Sequence, residues 1–191
     1  MFAGGYGTRL KPLTNTIPKP AIKVAGKPII RHILDWLEEV GFDNILVKTH
    51  YLAEQVEEAI GEDNYVKTCF NPQYIGTAQF LKLNEDKLEE TFLVQNGDTL
   101  TNLDLKDIIE FHLINMNIAT VFTKHDAIHT SGTYIFEKKI IDLIEDEQDI
   151  PDLMQKLIDK NIPINIYKSD AYYFDIANKE KLKKARKYYE R

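Results

Sequence analysis

The chain predicts a three-layer α/β sandwich with a mostly parallel central sheet. Short apolar runs of strand length alternate with longer segments whose apolar residues recur at helical spacing. A glycine-rich turn opens the sequence, at the kind of strand end where ligands bind in such sheets. With 191 residues, 43% of them hydrophobic, the chain has enough apolar material for one well-buried core and little for two, so a single domain over residues 1–191 is expected.

The elements follow in order. Met1, Phe2 and Ala3 are the only residues before the glycines, whereas strands usually run about five or six residues. The first strand is therefore either unusually short or begins upstream of this sequence. Ile29, Ile30, Ile33, Leu34, Leu37 and Val40 fall at helical spacing, with Pro28 suited to the first turn and Gly41 to the stop. A buried strand is expected at 44–48, a helix at 52–60 ended by Gly61, a strand at 65–70, a mostly helical stretch at 77–88 and a buried strand at 91–95. A helix at 104–116 and strands at 118–123 and 132–136 come next. Helices near 138–144 and 152–160, short strands at 163–167 and 172–174, and a last helix capped by Asn178 and reaching Tyr189 complete the pattern.

The formal net charge of −6 argues against a nucleic-acid-binding surface, which wants a basic patch or stripe. The basic last helix is short and isolated, and reads as a solvated or subunit-contacting face. The acidic stretch from Asp142 to Asp149 reads as a solvated helix end. Cys69 has no partner cysteine, so a reducing cytoplasm is the simplest home. No signal sequence opens the chain, and no apolar run approaches the roughly 18 residues of a membrane span. Neither nucleic acid nor membrane is expected as a partner, and homo-oligomer formation is left open.

Gly4-Gly5-Tyr6-Gly7-Thr8-Arg9-Leu10-Lys11-Pro12-Leu13-Thr14 and the following Pro18-Lys19-Pro20 form the layout of an anion site. Glycines let successive N–H groups converge on phosphate oxygens. Arg9 adds a rigid multi-donor fork and Lys19 a point charge on a long stem. No Gly-Lys-Ser/Thr follows, so this is not a Walker A loop.

This segment resembles the signature of the sugar-1-phosphate nucleotidylyltransferases, G-G-x-G-T-R-L-x-P-L-T followed by P-K-P, and the resemblance runs from Gly4 to Asp175. It implies a Rossmann-like nucleotide-diphospho-sugar transferase fold. It also implies that the backbone of Ala3, Gly4, Gly5, Gly7 and Thr8, with Arg9 and Lys19, holds a nucleoside triphosphate. Asn96-Gly97-Asp98 matches the family's Gly-Asp magnesium ligand, and Tyr173-Phe174-Asp175-Ile176 matches the segment carrying the second; Ala177 and Asn178 replace the usual Gly-Thr. Asp98 and Asp175 are thus expected to ligate Mg2+, with Arg9, Lys19 and Asp98 as the catalytic set. Gln73-Tyr74-Ile75-Gly76-Thr77-Ala78 resembles the family's P-L-G-T-A turn against base and ribose. There Gln73 reads the base edge, Gly76 permits close approach, and Thr77 either touches ribose or only caps the next helix.

The middle departs most. Where the family carries a hairpin with Glu-Lys-Pro, only Lys124 to Thr130 remain, and Thr130 stands where an asparagine usually contacts sugar. Gly97, Lys124, Thr130 and Gly132 are the expected sugar-side residues, Lys124 being either a substitute for the family lysine or a surface residue. His125 and His129 lack a third ligand nearby and are not read as a metal site. The implied reaction is in-line displacement at the α-phosphorus of a triphosphate by a sugar 1-phosphate, with GTP or UTP ahead of CTP. Two rivals are a nucleotide-binding regulatory subunit without turnover and a cytidylyltransferase of a phosphorylated non-sugar such as phosphocholine.

Overall fold

The computed structural model describes residues 1–124 and 132–190. They form two compact units. The first comprises Met1–Gln73, Asn96–Asn102 and the chain from Tyr172 onward; the second comprises Tyr74–Gln95 and the described part of Leu103–Ala171.

In the first unit, tight 3-10 turns at Thr8–Leu10, Leu13–Asn15 and Lys19–Ala21 precede a small antiparallel hairpin of β1 (Lys23–Val24) and β2 (Lys27–Pro28). Helix α1 (Ile29–Glu38) buries Ile29, Ile30, Ile33, Leu34 and Leu37. Each such side chain removed from water contributes about 1.5–3 kcal/mol before entropy. The opposite face carries Arg31, whose guanidinium is bonded to Asp35 at 2.6 Å, to Asp63 at 2.8 Å and to Glu38. Strand β3 (Ile45–Thr49), helix α2 (Ala53–Ile60) and strand β4 (Val66–Phe70) form a βαβ step, β3 and β4 being parallel. Phe2 makes parallel bridges to Lys48 on one side and Asn96 on the other, so Met1–Ala3 completes a ladder although only one residue of it pairs on both sides. Strands β6 (Thr99–Thr101) and β10 (Tyr173–Asp175) pair antiparallel, and helix α6 (Lys179–Tyr189) closes the unit. Its start is set by Asn178, whose side chain accepts the Lys181 N–H at 3.0 Å.

The second unit holds α3 (Thr77–Leu83), β5 (Thr91–Gln95), α4 (Leu105–Asn115), β7 (Ala119–Thr123), β8 (Thr133–Glu137), α5 (Ile150–Asp159) and β9 (Asn165–Lys168). Its sheet runs β5-β8-β7-β9, with β8 antiparallel to both neighbours and β7 parallel to β9. The α/β class is the expected one, and its sheets are mixed. A parallel connection needs a crossover of about a dozen residues or more, which the stretch between Thr123 and Thr133 cannot supply. Buried His112 fastens α4 to the sheet: Nδ1 lies 2.7 Å from Thr120 Oγ1 and Nε2 2.9 Å from Glu137 Oε1. Two expected helices are shorter than read. The segment after Leu83 is a 3-10 turn at Glu85–Lys87, and Lys138–Leu143 is 3-10 throughout.

Candidate active site

Within the first unit the glycine loop lies over the carboxyl end of β3. Ala3 is buried and donates its N–H to Lys48 O at 2.9 Å, which fixes the loop's entry; Gly4 is buried beside His50. Gly5 and Thr8 are exposed. Gly7 adopts φ +60, and a Cβ there would lie 2.9 Å from Thr14 Cγ2 and 3.6 Å from Lys19 Cβ. Only glycine combines that left-handed turn with so close an approach of the Pro-Leu-Thr segment. Its carbonyl accepts Leu10 N–H at 2.9 Å and the Thr14 hydroxyl at 2.8 Å. Arg9 is exposed in the loop turn Thr8–Leu10.

Lys19 sits between buried Pro18 and Pro20, so its stem has little freedom. Its ammonium donates to Asp98 Oδ2, the side chains being 12% and 25% exposed. Asp98 follows Gly97, whose N–H is held by Phe2 O at 2.9 Å. The Asp98 carbonyl accepts Ile176 N–H at 3.0 Å, and Asp175 stands in register with Thr99. The β6–β10 pairing therefore brings the two expected metal carboxylates, Asp98 just ahead of β6 and Asp175 at the end of β10, together from distant parts of the sequence. Asp175 Oδ2 accepts from Lys181 Nζ at 2.8 Å. Gln73 is in the same unit and exposed.

Both carboxylates are thus held beside ammonium groups. Among the described residues no group of three or more His, Cys, Asp and Glu is placed to hold a metal ion. The donor set is two hard carboxylates, which fits Mg2+, an ion that takes one or two of them with phosphate oxygens and water.

Two residues of this unit escaped the motif reading. His50 lies just past β3 and donates Nδ1–H to Asn71 O at 2.7 Å, which leaves Nε2 to accept from the Tyr6 hydroxyl at 2.9 Å. Tyr6, His50 and Tyr51 form an aromatic group beside the glycine loop, with ring centroids 5.4 and 5.3 Å from Tyr6. The signal available was position, since ligand loops lie beyond strand carboxyl ends. Lys181 had no sequence signal beyond its place in a basic helix.

The second unit holds Gly76, Thr77, Lys124 and Gly132. A Cβ on Gly76 would lie 2.1 Å from Gln148 O, so this glycine is required by packing against the α5 approach. Thr77 does cap a helix, though not its own: its Oγ1 accepts Ile150 N–H at 2.9 Å, the first residue of α5. Asp149 returns the favour for α3, accepting Thr77 N–H at 2.7 Å and the Thr77 hydroxyl at 3.0 Å. Asp149 is accordingly not part of a merely solvated acidic end. It also faces the Tyr74 hydroxyl at 3.4 Å, and burial together with this carboxylate raises the Tyr74 phenol above its ordinary range. Lys124 is exposed and, among the described residues, donates to the Asp170 carbonyl at 3.4 Å. Gly132 turns at φ +65 into β8. Thr130, His125 and His129 lie outside the described residues.

The Gly4–Arg9 loop, Lys19 and the Asp98 and Asp175 carboxylates thus belong to one α/β unit. The chain belongs to the nucleotidyl transferase family, whose pattern matches residues 1–131. It is 30% identical over 228 residues to the UTP–glucose-1-phosphate uridylyltransferase of Synechocystis sp., covering 92% of this chain and 59% of that protein. It is 34% identical over 149 residues to mannose-1-phosphate guanylyltransferase 1 of Arabidopsis thaliana, covering 72% of this chain and 41% of that protein. The chain therefore spans about three fifths or less of these curated relatives. Among solved structures, HddC from Yersinia pseudotuberculosis complexed with GMP-PN superposes with a TM-score of 0.81 at 26% identity, over 98% of this chain and 96% of that one. A putative glucose-1-phosphate thymidylyltransferase from Bacillus anthracis reaches a TM-score of 0.84 at 19% identity, covering 98% and 92%, a likeness of fold.

Proposed function

We propose that this chain transfers a nucleoside monophosphate from a nucleoside triphosphate to a sugar 1-phosphate, releasing pyrophosphate and forming a nucleotide-diphosphate sugar. The observation that carries the reading is the first unit's grouping of the Gly4–Arg9 loop, Lys19 and Asp98 with Asp175 on the strand beside it. Relatives named for uridylyl and guanylyl transfer, and a solved relative complexed with GMP-PN, favour UTP or GTP as donor.

In this reading the loop N–H groups and Arg9 bind the triphosphate, and Lys19 neutralises charge on it. The attacking oxygen belongs to the sugar phosphate and is already anionic at neutral pH, so the protein need not remove a proton. It forms the new P–O bond at the α-phosphorus while the bond to pyrophosphate breaks on the opposite side. Positioning and preorganised charge then supply most of the rate. Asp98 and Asp175 are the residues that would hold Mg2+, which when bound offsets charge at the reacting phosphates. Gln73 is the side chain proposed to meet the base. Among the described residues no helix is long and apolar enough to cross a membrane, and a reducing cytoplasm suits the single cysteine.

The test offers purified protein each triphosphate with a panel of sugar 1-phosphates and Mg2+, and measures pyrophosphate release. Release with UTP or GTP supports the reading. Triphosphate binding with no turnover across the panel would sink it in favour of a binding module.

A further inference from the structure

We infer that Lys181 is a working residue of this site: an ammonium that holds Asp175 while no divalent cation is bound and gives the carboxylate up when one arrives. The inference rests on the nucleotidyl-transfer reading for what the cation does, and on the geometry for what the lysine does.

Lys181 Nζ lies 2.8 Å from Asp175 Oδ2. Its backbone is fixed, because Asn178 caps the α6 terminus by accepting the Lys181 N–H at 3.0 Å. The first turn of a helix carries the positive end of the macrodipole and disfavours cations. A lysine there does not serve the helix. The neighbouring Glu180 is the acid the first turn wants, and it pairs with Lys184 at 2.8 Å, leaving Lys181 to Asp175. The partner of Lys181 is thus Asp175, an expected metal ligand.

The two lysine–aspartate pairs also differ in what it takes to open them. Lys19 and Asp98 are 12% and 25% exposed, whereas Lys181 and Asp175 are 47% and 28% exposed. An exposed pair is held by little net free energy, because water competes for both charges. The Lys181 ammonium can leave Asp175 into solvent without being stranded, and the Lys19 ammonium cannot leave Asp98 so easily. Tethered to a capped helix, the released Lys181 stays within a stem's length of Asp175. It then adds a positive charge where phosphate oxygens accompany the cation.

Mn2+ binding to the full chain without nucleotide, followed by electron paramagnetic resonance, tests this. Lys181→Met should bind Mn2+ about two- to fivefold more tightly than wild type, the range set by an exposed ion pair, while Lys181→Arg stays near wild type. Lys181→Met should also bind the Mn2+–triphosphate complex more weakly. A purely structural lysine would lower the melting temperature and leave Mn2+ affinity unchanged, and that result overturns the inference. A second measurement needs no variant: acetylation of Lys181 in the wild-type chain, read by mass spectrometry, should speed up when Mn2+ is added. An unchanged rate beside normal pyrophosphate release overturns the role of Lys181 and leaves the reaction standing. A faster rate with no pyrophosphate release from any substrate pair supports Lys181 and overturns the reaction.

Discussion

Lys19 and Asp98, 79 residues apart in sequence, close an ion pair whose two side chains are largely withdrawn from water. Each was expected to face a ligand: the lysine a triphosphate, the aspartate a metal ion. In the fold they neutralise one another. Two opposite charges that would each be costly to bury alone offset one another here.

Removing either partner alone should therefore damage more than catalysis. Lys19→Met leaves a partly buried carboxylate uncompensated, at a cost of about 1–3 kcal/mol, and Asp98→Asn leaves the ammonium likewise. The double variant should be less destabilised than the sum of the singles by at least about 0.5 kcal/mol, measured by urea unfolding. In pyrophosphate release, Lys19→Met should lower kcat/KM by about 10²–10³-fold, the scale of one lost charge-stabilising group. Additive stabilities would mean that the pair does not form in solution.

The glycine loop separates folding from binding within three residues. Around Gly5 nothing lies within 4 Å of where a Cβ would stand, whereas Gly7 has φ +60 and would place that carbon 2.9 Å from Thr14. Gly5→Ala should keep the wild-type melting temperature and weaken triphosphate binding, because the added methyl meets only the ligand. Gly7→Ala should lose about 1–3 kcal/mol of stability as well. Calorimetry of binding alongside thermal unfolding checks both. Undiminished triphosphate affinity in Gly5→Ala would remove Gly5 from the phosphate cradle.

What could be read in the sequence was what local chemistry determines. Asn178 marked the start of α6 because an N-cap satisfies its own helix, and the apolar stripe from Ile29 to Leu37 marked α1 because periodicity is a property of one element. Arg9, Lys19, Asp98 and Asp175 were singled out for a different reason, since they sit in motifs of fixed spacing; the fold adds that Lys19 pairs with Asp98 and that Asp175 lies opposite Thr99. Strand β6 was not legible: Thr99–Thr101 immediately follows a turn and becomes a strand only by pairing with Tyr173–Asp175. The same holds for Lys181 and for His50. Their roles depend on what the fold sets beside them, and no local pattern records that.

Thr77 and Asp149 are a further case of tertiary context deciding a residue's work. Each caps the other's helix, so Thr77→Val should expose Ile150 N–H and Asp149→Asn should weaken the bond to Thr77 N–H. Each should cost about 0.5–2 kcal/mol, the usual value of an N-cap, with strong non-additivity in the double variant. Gly76→Ala, whose methyl would meet Gln148 O at 2.1 Å, should be worse than either. Urea unfolding ranks the three. A neutral Gly76→Ala would contradict the packing of this turn on the α5 approach.

The His112–Glu137 contact gives the second unit a pH dependence of definite sign. Burial opposes ionisation of Glu137, but hydrogen bonds from His112 and Thr91, with the charges of His112 and Lys139, outweigh it and hold the carboxyl below its ordinary value. A carboxylate whose pKa is depressed by folding contributes stability above its unfolded pKa and loses it as pH falls through the folded one. Wild type should therefore be more stable to unfolding than Glu137→Gln above about pH 5.5. The difference should close as pH falls below about 4, where glutamate protonates in the unfolded chain. Thr91 donates to the same Glu137 oxygen at 2.8 Å, so Thr91→Val should shrink that difference without changing its sign. A gap that widened on acidification would mean that Glu137 is held neutral in the fold, and the contact with His112 would have to be read with the proton on the carboxyl.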